Sequence, residues 1–135
     1  PTERGLRRIL NIGHTVGHAL EAYSHQNEFR RTLPHGEAVV FGLLIESYIT
    51  MRQCGTSKEY IRQLMTLARE LYSPFFYTCK DYPELLRLMR HDKKNSAGTI
   101  TLMGVIEPGN IEVVEVADEG VIKEGLDFLR ETFGS

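Results

Sequence analysis

Glu37-Ala38-Val39-Val40-Phe41-Gly42-Leu43-Leu44-Ile45-Glu46-Ser47-Tyr48-Ile49-Thr50-Met51-Arg52-Gln53 decides how the rest of this chain is read. Its apolar residues fall on most sides of a helix, and such a helix belongs in the middle of a domain. Cys54-Gly55-Thr56 ends it, with Gly55 at the position where a helix C-terminus favours a left-handed residue. The longest apolar run, Ala38 to Ile45, is far short of the ~20 residues a membrane span needs.

The flanking segments supply partners for that helix. Upstream, Val16, Ala19, Leu20 and Tyr23 recur at helical spacing within Gly13 to Tyr23. Pro1 to Asn11 reads as a short helix with Thr2 as N-cap, and Ser24 to Pro34 as a polar loop that Pro34 closes. Downstream, Ser57 opens a helix with Tyr60, Ile61, Leu64, Leu67, Ala68 and Leu71 as its apolar stripe, stopped by Ser73-Pro74. Phe75-Phe76-Tyr77 reads as extended and part of the core, and Asp81 as the cap of a helix from Tyr82 to Arg90. A polar loop, His91 to Gly98, follows. Thr99 to Val105 and Ile111 to Val116 are rich in β-branched residues and flank Glu107-Pro108-Gly109-Asn110, a hairpin signal. Asp118 or its neighbour starts a last amphipathic helix to Phe133, carrying Val121, Ile122, Leu126 and Leu129. The predicted fold is mainly α: one helical domain over residues 1–135 with a small β-hairpin at about 99–116.

At 135 residues the chain is long enough to bury a core. A formal net charge of −2 without a long basic run argues against a dedicated nucleic-acid binder. Cys54 and Cys79 are too few for a disulfide framework and read as reduced thiols in a cytoplasmic protein. No signal peptide is visible, and no membrane partner is expected. Pro1-Thr2-Glu3-Arg4-Gly5 opens the chain without methionine, so a piece of a longer protein, with part of its site elsewhere, is expected.

The chemistry concentrates in Asn11-Ile12-Gly13-His14-Thr15-Val16-Gly17-His18 and Leu33-Pro34-His35-Gly36-Glu37, which hold three of the five histidines. His14 and His18 lie about one helical turn apart and share a face. His35 follows a proline and is rigidly aimed. Imidazole binds divalent metals and moves protons near neutral pH, so the pattern points to a metal-centred site, with packed or surface histidines as the plain alternative. Gly13, Gly17 and Gly36 allow ligand or backbone to approach closely. Thr15 stands where a metalloprotease H-E-x-x-H helix needs its glutamate, which excludes that class. Arg7, Asn11 and His14 form a ladder if helical, and Lys93 and Lys94 lie in a loop where an ammonium group reaches an anion. Glu3, taken alone, reads as a surface carboxylate. His25 and His91 have no obvious partners, and Met51, Met65, Met89 and Met103 read as core filler.

Glu3-x-Gly5-Leu6-Arg7, Leu10-Asn11-x-Gly13-His14-Thr15-x-Gly17-His18-Ala19-x-Glu21, His35-Gly36-Glu37-Ala38-Val39 and Asp92-Lys93-Lys94-Asn95 together resemble, in order and across nearly the whole chain, the C-terminal half of the 3-dehydroquinate synthase family. The resemblance implies a two-domain enzyme whose N-terminal α/β domain, absent from this chain, binds NAD. It implies that His14 and His35 are zinc ligands, with Co2+ as a substitute, and that the third protein ligand is a glutamate upstream of these residues. His18 becomes an acid/base residue instead of a ligand. Glu3, Arg7 and Asn11 match substrate-site positions, and Lys93 or Lys94 an active-site lysine. The implied reaction converts 3-deoxy-D-arabino-heptulosonate 7-phosphate to 3-dehydroquinate and phosphate in the shikimate pathway of aromatic amino acid biosynthesis, catalysed by a homodimer. Another sugar-phosphate cyclase, a metal-dependent polyol dehydrogenase of the same superfamily and a non-enzymatic metal-binding module are the alternatives. The charged loop from Tyr23 to Leu33, with Arg30 and Arg31, departs from the family, and no G-x-G-x-x-G is present to host NAD.

Overall fold

The computed structural model describes residues 12–26, 31–55, 58–90, 99–107 and 110–133. Among them are five α-helices and one hairpin: α1 (His14–Ser24), α2 (His35–Cys54), α3 (Lys58–Leu71), α4 (Tyr82–Arg90), β1 (Ile100–Glu107), β2 (Asn110–Val116) and α5 (Glu119–Phe133). A 3-10 turn, Cys79–Asp81, leads into α4. No described helix is long and apolar enough to cross a membrane. The expected helix over Pro1 to Asn11, the Ser57 cap and the loop from His91 to Gly98 lie outside the described residues.

The central position of α2 follows from its composition. It packs against α1, α3, α5 and β1, so Phe41, Leu44, Ile45 and Ile49 are all buried though they point in different directions. It begins at His35, two residues before the predicted start, because Pro34 is extended (φ −61°, ψ 148°) and its carbonyl already accepts from Ala38 N–H at 2.9 Å. It ends at Gly55, left-handed at φ 74°, whose N–H reaches Met51 O at 2.8 Å.

Close approach of α1 to α2 requires glycine. A Cβ built on Gly42 would lie 2.2 Å from Gly13 O and 2.5 Å from Gly17 N, and one on Gly17 would lie 2.9 Å from Ala38 O. Of the two uses the sequence allowed for Gly13 and Gly17, ligand approach or backbone approach, the structure shows the second.

The hairpin is antiparallel, in register from Ile100↔Val116 to Val105↔Ile111, with an irregularity before Glu107↔Asn110. Ile100, Leu102, Val114 and Val116 are buried on its inner face. The long run of α5 covers α2 from another side with Ile122, Leu126 and Leu129. Tyr77 ties the extended segment before α4 to α5, donating to Leu126 O at 2.6 Å. Burial, then the neighbouring Tyr82, pushes the Tyr77 hydroxyl well above its ordinary pKa, so it stays a donor.

Three local expectations are corrected. Thr78, not Asp81, is the cap: its Oγ1 accepts from Lys80 N–H, and Asp81 reciprocates from inside the turn by accepting from Thr78 N–H at 2.8 Å. Leu67 and Leu71 are 51% and 61% exposed, because α3 rests on α2 through Ile61, Met65 and Ala68. Phe76 is exposed while Phe75 and Tyr77 on either side are buried, the alternation of an extended segment. Met65, Met89 and Met103 are core residues, and Met51 is half-buried.

Candidate metal centre

Gly13 sets the position of the first histidine. It is the N-cap of α1 in a left-handed conformation (φ 77°), with Val39 O 2.5 Å from where a Cβ would stand. Glycine offers no side-chain cap to the helix it starts, and the cap comes from elsewhere in the fold. Glu46, fully buried on α2, accepts from Val16 N–H at 3.0 Å through Oε2. A carboxylate at the N-terminus of α1 also complements the helix dipole. Thr15 Oγ1 then donates to Thr101 O at 3.0 Å, tying the same turn to β1. Replacing Glu46 with alanine strands the Val16 N–H in the core and opens a cavity. The expected cost is about 2–3 kcal/mol, read as a lowered denaturation midpoint.

With both helix starts fixed, the three histidines meet. The His14 and His18 ring centroids are 4.8 Å apart, and His35 lies 5.5 Å from His14 and 5.7 Å from His18. His14 is half-buried and the other two are exposed, so the cluster opens outward from the helix crossing. His35 Nδ1 is 2.9 Å from Glu21 Oε1. Among the described residues, no group of three or more His, Cys, Asp or Glu side chains is arranged to hold an ion by itself. The donor chemistry nevertheless fits a divalent first-row ion: imidazole nitrogens on rigid helix starts, close together and open on one side.

Arg31 secures the entry to α2. It pairs with Glu37 at 2.7 Å and donates to Ser73 O at 2.6 Å and Pro74 O at 3.2 Å, clamping the segment before His35 to the end of α3. The loop that departs from the family pattern thus has a structural use at Arg31. His25 follows the end of α1 and is exposed.

Glu3, Arg7, Asn11, Lys93 and Lys94 lie outside the described residues. Two residues escaped sequence reasoning as parts of the site: Glu21 and Glu46. A signal existed for Glu21, which is three residues after His18 and seven after His14, on their helical face. None existed for Glu46, whose partner is 30 residues away in sequence.

Comparison with known proteins places the chain in a family. The family model for the 3-dehydroquinate synthase C-terminal region matches residues 1–95. Curated 3-dehydroquinate synthases from Parabacteroides distasonis, Thermococcus kodakarensis and Geobacillus kaustophilus are 39%, 38% and 36% identical over 99%, 98% and 96% of this chain. The chain spans about a third of their length: 37%, 36% and 34%. In fold it is similar to a crystal structure of 2-deoxy-scyllo-inosose synthase complexed with carbaglucose-6-phosphate, NAD+ and Co2+, with TM-score 0.66 and 20% identity, covering 91% of this chain and 34% of that one. On the family match across its histidine cluster, the chain belongs to the 3-dehydroquinate synthase C-terminal family.

Proposed function

We propose that this chain is the metal- and substrate-contacting part of an enzyme that converts 3-deoxy-D-arabino-heptulosonate 7-phosphate to 3-dehydroquinate and phosphate. The observation that carries the reading is the meeting of His14, His18 and His35 at the crossing of α1 and α2, in a chain whose relatives bear that enzyme's name. His14 and His35 would hold a divalent ion, zinc or in its place Co2+, with a glutamate from the remainder of the enzyme as third ligand. When bound, such an ion polarises and acidifies a coordinated hydroxyl pair, and NAD serves as temporary hydride acceptor.

The chain's own residues do the remaining work. His18 is exposed beside His14 and takes and returns a substrate proton at an imidazole nitrogen. Arg7, with Asn11 and Glu3, fixes the substrate, and Lys93 or Lys94 neutralises its phosphate or carboxylate. The net reaction expels phosphate, closes a carbocycle and is redox-neutral. NAD sits mainly on the remaining domain, and the working form is a cytoplasmic homodimer. These 135 residues alone are expected to be inactive, because the third ligand and one wall of the cleft would come from the remainder of the enzyme.

The fold likeness to 2-deoxy-scyllo-inosose synthase favours one second reading, another sugar-phosphate cyclase. The test is a side-by-side assay of the full-length enzyme with the heptulosonate phosphate and with sedoheptulose 7-phosphate. Phosphate release from the heptulosonate alone is expected. Turnover of sedoheptulose 7-phosphate alone would transfer the assignment to the second reading.

A further inference from the structure

We propose that Glu21 is a positioning residue that presents Nε2 of His35 to the metal. The inference rests on the metal reading of His14 and His35 given above. An ionised carboxylate only accepts hydrogen bonds, so at 2.9 Å from Glu21 Oε1 the His35 Nδ1 must carry the proton. In the neutral ring that leaves the lone pair on Nε2, the form a metal needs.

Glu21 belongs to a larger device on the last turn of α1. Ser24, buried there, donates from Oγ to Glu21 O at 2.7 Å and accepts from Leu33 N–H at 3.0 Å. The backbone two residues before His35 is therefore held by the same turn that holds its ring, and Pro34 stiffens the link between them. His35 is 55% exposed in its side chain, and the hydrogen bond to Glu21 adds a directional restraint to its ring contacts with His14 and His18.

The test measures metal affinity of the full-length protein by competition with a chromogenic chelator, using zinc and separately Co2+, alongside the thermal midpoint of the metal-free form. Glu21→Ala is expected to weaken both metals about 10- to 100-fold. Glu21→Gln, whose amide oxygen still accepts from Nδ1–H, is expected to recover affinity to within a few-fold, with the metal-free midpoint unchanged in both variants. Wild-type affinity in Glu21→Ala would overturn the proposal, as would equal defects in the two variants. A fall in the metal-free midpoint that matches the lost affinity would also overturn it, by showing a merely structural contact. His35→Ala separates the underlying reading: if that variant keeps full affinity, the ligand assignment itself fails whatever Glu21 does.

Discussion

Replacing His18 with asparagine in the full-length enzyme is expected to lower kcat about 100- to 10,000-fold and to leave the bound metal in place. Asparagine keeps a polar side chain of similar reach but cannot exchange a proton. His18 shares a helical face with His14, at 4.8 Å between centroids, and on spacing alone it is as good a ligand as its neighbour. The two roles diverge in what each variant loses. A ligand variant loses metal and turnover together, while a proton-transfer variant loses turnover and keeps metal. KM is expected to change little, because the proposed substrate contacts are other side chains, Arg7, Asn11 and Glu3 with Lys93 or Lys94. A His18→Asn protein with normal kcat would remove His18 from the chemistry.

The second large effect is on stability. Gly42→Ala places a methyl group 2.2 Å from Gly13 O and 2.5 Å from Gly17 N. Both neighbours are backbone, so no rotamer change relieves the clash and α1 must move away from α2. Overpacking of this kind costs about 3 kcal/mol or more, while the better helix propensity of alanine returns about 1 kcal/mol. Net destabilisation of about 2 kcal/mol or more is expected in urea denaturation of the metal-free protein. Displacing α1 also carries His14 and His18 away from His35, so metal affinity is expected to fall as well. Gly36→Ala is the control: nothing lies within 4 Å of its Cβ position, so its stability is expected to stay the same or rise slightly. If Gly42→Ala is as stable as Gly36→Ala, the helix crossing does not depend on glycine contact.

How much could be read in advance depended on the range of each interaction. The central helix, the hairpin and the last helix were legible because their periods are local and strong. The stripe on α3 was legible in direction but not in extent. Ile61, Met65 and Ala68 are buried, whereas Leu67 and Leu71, on the same helix, stay more than half exposed. Periodicity reports which side of a helix is apolar and not how far its neighbour reaches. Glu46 stands among the apolar residues of α2 and caps α1 from the core. That role needs α1 and α2 already packed, so no local signal announces it. The glycines showed the opposite limit. Gly13, Gly17 and Gly36 announced a close approach but not what approaches: at Gly13 and Gly17 it is the backbone of the neighbouring helix, and at Gly36 nothing lies within 4 Å. The histidine cluster itself was legible because glycine and proline fix where each helix starts. What tied Glu21 to His35 was tertiary and became visible only with the helices in place.

In the proposed division of roles, metal binding belongs to His14 and His35 while His18 serves proton transfer. Elemental analysis of metal bound to the full-length protein and to its His14→Ala, His18→Ala and His35→Ala variants, purified in parallel, tests it most directly. Near-stoichiometric zinc is expected in the wild type and in His18→Ala, and little or none in the other two. Zinc lost from His18→Ala as completely as from His14→Ala, or retained in His35→Ala, would contradict it.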